Sequence, residues 1–214
     1  MSNAASEKSA PLPYLLPYLK AAERHGSGFA SLLWASPQTQ AARFDAIERL
    51  GQLHGKSILD VGCGRADLLA YLLGRGVRPA DYTGIEAVSD LASAAERNCA
   101  AAHGGTPARV IRADFLREPL RLFVGADVVV FSGSLNTIDD GPFFDTLRRA
   151  FDATADLLVF NFLASPYLAG ADYLRWRRPS DVQRFCSGLT RDVRTLDDYL
   201  HGDNTVALRA AARR

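Results

Sequence analysis

The stretch "KSILDVGCGRADLLAYLL", Lys56 to Leu73, joins a hydrophobic strand, a turn with two glycines and an amphipathic helix. Gly62 and Gly64 permit positive dihedrals and a close backbone approach that a side chain would block, so the turn suits contact between backbone and ligand. Taken alone, G-x-G fits a plain tight turn as well. The neighbouring acids discriminate further. A dinucleotide fingerprint, G-x-G-x-x-G, would place its third glycine at position 67, where this chain has Asp67. Asp67 falls in the first helical turn, where a pyrophosphate would sit. Asp60 borders the other side of the same turn. Two carboxylates repel a pyrophosphate, and Arg65 offsets only part of that.

Outward from this stretch, strands and helices alternate. Strands are expected at Ser57–Val61, Tyr82–Glu86, Ala108–Arg112, Asp127–Phe131 and Ala155–Phe162, with weaker ones at Val193–Tyr199 and Asn204–Arg209. "DVVVF" and "ADLLVFNF" are apolar without alternation, as buried parallel strands are. Helices are expected at Ala66–Leu73, at Ser89–Ala102 with Ser89 as its cap, at Gly141–Ala153 and at Ser180–Ser187. Upstream, a loose helix near Tyr14–Arg24 and a firmer one near Thr39–Leu50 are interrupted by prolines. "HGDN" before the last strand signals a hairpin. The pattern is an α/β, doubly wound, mostly parallel sheet with an antiparallel strand from the final hairpin. Ligands of such sheets bind at the carboxyl ends of central strands. That rule selects Asp60–Gly64, Glu86, Asp114 and Ser132–Asn136.

The 214 residues, 48% hydrophobic, suit one globular domain. Residues 12–214 are expected to form it, with 12–55 as a helical cap and 56–214 as a Rossmann-like core. Residues 1–11 read as a disordered tail or tag remnant, without the apolar core of a signal peptide. A net charge of +1 gives no field for steering onto nucleic acid, so no nucleic-acid partner is expected. No apolar run approaches the ~20 residues of a membrane-spanning helix. Cys63, Cys99 and Cys186 are odd in number and lack C-x-x-C spacing, as expected of reduced thiols in a cytoplasmic protein. His25, His54, His103 and His201 are scattered without metal-ligand spacing, so no metal is expected. Arginine and alanine abound while lysine is confined to Lys8, Lys20 and Lys56, as in GC-rich bacterial genomes.

The acids at the strand ends specify the ligand further. Glu86 lies 22 positions beyond Gly64 at the end of the second strand, where an acid accepts hydrogen bonds from ribose hydroxyls. A solvated strand-end acid is the alternative. Asp114, in "VIRADF", can accept from an adenine amino group while the Phe115 N–H reaches a ring nitrogen; an ordinary loop aspartate is equally compatible. S-adenosylmethionine has no phosphate and carries a sulfonium and an ammonium, so Asp60 and Asp67 would attract it. The electrostatics favour that cation over NAD.

"ILDVGCGRADLL", "YTGIEAVSDLASAAE", "IRADF" and "ADVVVFSGSLN" resemble, in order, the first four motifs of class I S-adenosylmethionine-dependent methyltransferases, over about residues 56–163. "WASPQTQAARFDAI" and the segment from "NFLAS" onward resemble flanking parts of uncharacterised bacterial members. Ala66 stands where the usual D-x-G-x-G-x-G has its third glycine. The resemblance implies a seven-stranded sheet in the order 3-2-1-4-5-7-6 with strand 7 antiparallel. It also implies that Asp60, Gly62 and Gly64 flank the methionine part of the cofactor; Cys63 and Asp67, in the same turn, are further candidate cofactor contacts. Glu86 would hold the ribose, Ala87 the adenine face, Asp114 and Phe115 its edge, and the Ser132 backbone the amino group. Arg43, with Trp34, is placed to close over the cofactor and meet its carboxylate.

Methyl transfer needs alignment and exclusion of water, and a base only where the nucleophile must lose a proton. No catalytic base is evident. "SGSLNT" lacks the Asn-Pro-Pro-aromatic run of base-amino methyltransferases, so a small-molecule acceptor is expected. Ser134, Asn136, Tyr173 and Trp176 are the candidate acceptor contacts. The insert "SPYLAGADYLRWRRPSDVQRF" reads either as a lid offering Arg175, Arg177 and Arg178 to an anionic acceptor or as a solvated helix face. In the lid reading, charge reversal of the three arginines impairs turnover and spares cofactor affinity. Two other functions remain open from the sequence: a nicotinamide-dependent oxidoreductase and a non-catalytic S-adenosylmethionine-binding protein.

Overall fold

The computed structural model describes residues 12–102 and 105–211. The expected tail of residues 1–11 and His103 lie outside the described residues. The strands are β1 (Ser57–Val61), β2 (Asp81–Glu86), β3 (Ala108–Arg112), β4 (Val128–Phe131), β5 (Leu157–Leu163), β6 (Val193–Leu196) and β7 (Asp203–Arg209). They form one sheet in the order β3-β2-β1-β4-β5-β7-β6. β7 runs antiparallel to both β5 and β6, and the other pairs are parallel. The six described α-helices are α1 (Leu16–His25), α2 (Pro37–Gly51), α3 (Asp67–Gly74), α4 (Ser89–Ala101), α5 (Asp140–Ala153) and α6 (Pro179–Ser187).

The central strands read as continuous apolar runs because both faces are covered. Leu59, Val61, Val129, Phe131, Leu158 and Phe160 join one core with residues of α5 and α6. Their sequence neighbours Ile58, Val128, Val130 and Val159 join the opposite core with residues of α2, α3 and α4. Alternation along each strand thus divides one hydrophobic segment between two layers. After β3 at the sheet edge, the chain returns to place β4 beside β1. This is the topological switch point, and the crevice outside the carboxyl ends of β1 and β4 opens there.

The N-terminal segment roofs that crevice. Ser36 and Thr39 cap α2 reciprocally, and Pro37 starts it, which fixes the entry of the chain. α2 then packs against β5 and β7. α1 and the 3-10 turn Phe29–Leu32 pack on Val88 and Leu91 at the start of α4. Ser89 does not cap α4. Val88 is the cap residue, extended at ψ 115°, because its N–H is bonded back to Glu86. The hairpin expected at "HGDN" is present, with the Asp203 N–H bonded to the Leu200 carbonyl.

Candidate active site

Gly62 and Gly64 take φ of +72° and +57°, and the turn folds back onto β2. The N–H groups of Gly62 and Cys63 both donate to the Ile85 carbonyl, at 2.8 and 3.0 Å. A Cβ on Gly62 would overlap Ser134, and one on Gly64 would lie 2.7 Å from the Leu32 side chain. Glycine is therefore required here by close approach as well as by φ. Ala66 also adopts the left-handed region, at φ +60°. The position of the absent third glycine thus keeps a glycine-like backbone.

Glu86 is the hub of the site. It is 6% exposed, and its Oε2 and Oε1 accept from the N–H groups of Gly64 (2.9 Å) and Val88 (2.8 Å). Burial raises its pKa from the usual 4.5 to about 7 against these hydrogen bonds, with nearby Asp60 adding to the rise. Asp60, 2% exposed, accepts from the Tyr82 hydroxyl at 2.7 Å. Burial raises its pKa to about 7, opposed by that bond and assisted by Asp67. Neither acid forms an ion pair among the described residues. Asp67, by contrast, is met by Arg65 at 3.0 Å and by Gln40 Nε2 at 3.2 Å.

These groups border a cavity of about 520 Å³ at the carboxyl ends of β1, β2 and β4. Of the sequence-based candidates, Arg43, Asp60, Gly62, Cys63, Gly64, Asp67, Glu86, Ala87, Phe115, Ser132, Ser134, Asn136 and Tyr173 all line it. Asp114 and Trp176 do not. The Asp114 carboxylate turns back to accept from the Leu116 N–H (3.0 Å) and the Tyr14 hydroxyl (2.7 Å), which leaves Phe115 at the wall. Trp176 is 43% exposed, in a chain segment bridged to Leu163.

Arg43 is buried and already paired. Its Nε donates to Asp203 Oδ2 at 2.8 Å, its second amino group meets the same oxygen, and its guanidinium stacks over Trp34 at 4.8 Å. Asp203 Oδ1 accepts from the Tyr199 hydroxyl. The remaining Arg43 amino group, Nη1, lies by Gly133 at the pocket wall. Ser134 donates to the Val61 carbonyl at 2.6 Å and so locks the loop after β4 to the end of β1. Asn136 is 4% exposed, and its Oδ1 has no protein partner; the buried Ser132 Oγ has none either. The amide oxygen can only accept, whereas the hydroxyl can donate or accept.

The insert covers the pocket with Leu168, Gly170, Ala171, Tyr173 and Leu174, while Arg175 and Arg177 serve elsewhere. Arg175 Nε bonds Asp139 at 2.8 Å. Arg177 is buried, stacks 3.7 Å over Phe143, pairs with Asp140 at 3.1 Å and donates to the Ile138 carbonyl. They pin the insert to the loop after β4. The sequence reading missed Tyr14 and Tyr18, which also line the pocket. Their spacing of four, in "PYLLPYL", puts them on one helical face and was the available signal.

The chain matches the family model described as "Methyltransferase domain" over residues 35–197. No curated protein matches it. Among solved structures it is similar to magnesium protoporphyrin IX methyltransferase (ChlM) from Synechocystis PCC 6803 with bound SAM. That likeness has a TM-score of 0.67 at 12% identity and covers 98% of this chain and 100% of that one. It is also similar to an O-methyltransferase family protein from Burkholderia thailandensis (TM-score 0.65, 14% identity, 80% and 56% covered). A third similar structure is the small RNA methyltransferase HEN1 (0.67, 10%, 85% and 26%). At such identities these likenesses bear on the fold alone. Among the described residues no helix is long and apolar enough to cross a membrane.

Proposed function

The chain belongs to the methyltransferase-domain family, within the class I S-adenosylmethionine-dependent group, and from that premise we propose that it methylates a small molecule in the bacterial cytoplasm. The observation that carries the proposal is the pair of buried acids without cationic partners, Asp60 and Glu86, at the ends of adjacent strands in the pocket wall. A pyrophosphate would face uncompensated repulsion there, whereas a sulfonium and an ammonium would not. The NAD-dependent alternative therefore loses its electrostatic basis.

The residues fit S-adenosylmethionine by chemistry. Glu86 would accept from the ribose hydroxyls, with Ala87 and Phe115 against the adenine. Asp60, Gly62, Cys63, Gly64 and Asp67 would border the methionine part, with the Ser132 backbone at its amino group and Arg43 Nη1 at its carboxylate. When bound, the cofactor supplies an electrophilic methyl group. The chain's own task is alignment and exclusion of water. Leu32, Trp34 and Leu174 close the pocket for that purpose, and Asn136 Oδ1 offers an acceptor by which to orient the substrate. Among the described residues the wall holds no histidine or lysine, burial raises the Cys63 thiol pKa, and Asp60 and Glu86 are assigned to the cofactor, so proton abstraction is not assigned to a side chain. The loop after β4 lacks the Asn-Pro-Pro-aromatic run of base-amino methyltransferases, which supports a small-molecule acceptor, and the three cysteines are free thiols, in keeping with a reducing compartment.

Thermal unfolding tests the reading. S-adenosylhomocysteine at a hundredfold excess over its dissociation constant adds roughly 2.7 kcal/mol. That is a rise of about 5–10 °C for a domain of this size, and NAD should give none. A shift with NAD alone, or none with the sulfur compounds, overturns it.

A further inference from the structure

We propose that the methyl acceptor is an amphipathic small molecule with an anionic group, such as a carboxylate, held at Lys20 and Arg24 on the outer face of α1. The proposal rests on the methyltransferase reading and specifies its substrate class. A second cavity, of about 510 Å³, runs beside α1 from Pro13 to His25. It shares Ala30, Leu33 and Tyr173 with the first cavity, so one layer of side chains stands between the two.

The charges of the two cavities are opposite. The inner one holds Asp60 and Glu86, while its arginine, Arg43, is paired with Asp203 and keeps one amino group, the one assigned to the cofactor carboxylate. An anionic group on the acceptor finds no further cation in that interior. The outer groove is bordered by Lys20, Arg24 and His25 against a single carboxylate, Asp172, among its described lining residues. Lys20 and Arg24 are four positions apart, hence on one helical face. Both are exposed, and neither forms an ion pair with a described residue. The insert arginines once expected to receive an anion differ: Arg175 and Arg177 are tied to Asp139 and Asp140. Among the described residues lining either cavity, the basic groups without an ion pair are those of α1. An acceptor with an apolar reacting end would pass Leu33 and Tyr173 into the inner cavity and leave its anionic end on Lys20 and Arg24.

Two dansyl probes differing in charge test this: dansylglycine, which carries a carboxylate, and neutral dansylamide. Their fluorescence is titrated against the full chain saturated with S-adenosylhomocysteine. Two exposed charge pairs are together worth about tenfold in affinity. Dansylglycine should therefore bind about tenfold more tightly than dansylamide, and 0.5 M salt should erase the difference. The double variant Lys20→Glu/Arg24→Glu should abolish the preference, with dansylamide and S-adenosylhomocysteine affinities unchanged. Lys20→Gln/Arg24→Gln gives the same readout if charge reversal disturbs folding. Equal binding of the two probes, binding of neither, or a preference that survives both variants overturns the proposal. Loss of S-adenosylhomocysteine affinity in the variants also overturns it, because the cations would then serve the cofactor. If the wild-type chain fails to bind S-adenosylhomocysteine, the cofactor reading falls instead, and the probe preference of the free chain still decides the groove.

Discussion

Replacing Glu86 by alanine separates a ligand-binding acid from a merely structural one. Two hydrogen bonds from ribose hydroxyls to a charged acceptor are worth about 1.5–3 kcal/mol each. Water entering the vacated space returns part of this. Binding of S-adenosylhomocysteine at pH 8 should therefore weaken at least ~10-fold and up to several hundred-fold, and less in Glu86→Asp. The pKa near 7 sets the pH dependence. Protonation removes an acceptor, so wild-type affinity should fall as pH drops below 7, by up to tenfold per unit for each carboxyl that must ionise. Asp60, also near 7, retains part of that slope in the variant.

Stability must move too. A strand-end acid read from sequence alone would leave the melting temperature of the free protein untouched, but this one is buried and accepts from the Gly64 and Val88 N–H groups. An unpaired buried donor costs about 1–3 kcal/mol. With two donors stranded, at 2–4 °C per kcal/mol, the variant should melt roughly 4–24 °C lower at pH 5.5. The loss should be smaller at pH 8. Because the folded pKa lies above the unfolded value of 4.5, the wild-type acid's contribution is full below 4.5 and is lost as pH rises through 7. Calorimetric titration with S-adenosylhomocysteine at pH 6 and 8, beside melting curves, reads all of this. A variant dissociation constant equal to wild type at pH 8 refutes the ribose assignment, whatever happens to stability.

Removing one partner of the buried pair Arg43–Asp203 strands a charge, so Asp203→Ala should cost about 3–5 kcal/mol, measurable by chemical denaturation. Arg177→Ala removes a stacked, buried guanidinium whose pKa burial holds near 10, and leaves the Ile138 carbonyl unpaired. A loss of about 2–4 kcal/mol is expected, against less than ~0.5 for exposed Arg178→Glu. Reversing all three insert arginines would therefore report on folding before turnover. Ala66→Gly relieves a left-handed alanine, about 1–2 kcal/mol, but loses a buried core methyl and adds unfolded-state entropy, about 1–2 kcal/mol together, so the melting temperature should move by less than about 2 °C.

Where the sequence was legible, and where it was not, follows from which interactions are local. Ser57–Val61 and Ala108–Arg112 are strands to the residue; alternation and the final hairpin give the mostly parallel sheet with its antiparallel strand, and the strand order is the one the methyltransferase resemblance implies. The glycine turn and Glu86 belong to consecutive strand ends, so a short motif carries most of the cofactor wall. What the sequence left open involves partners remote in it. Asp114 looked free to read an adenine, but Tyr14, 100 positions away, takes its Oδ1. Arg175 and Arg177 looked like offered cations, but Asp139 and Asp140, more than thirty residues earlier, hold them. Arg43 keeps one amino group at the pocket, but its other nitrogens go to Asp203, 160 positions on, a partner the sequence did not announce. Charge and spacing tell what a side chain is able to bind, and only tertiary packing decides which partner reaches it. The acceptor wall is assembled from α1, the loop after β4 and the insert, three segments joined by such remote contacts. A wall built that way can change its ligand by altering side chains without disturbing the glycine turn, so the cofactor was readable from one motif and the acceptor had to be sought in the charges of the folded surface.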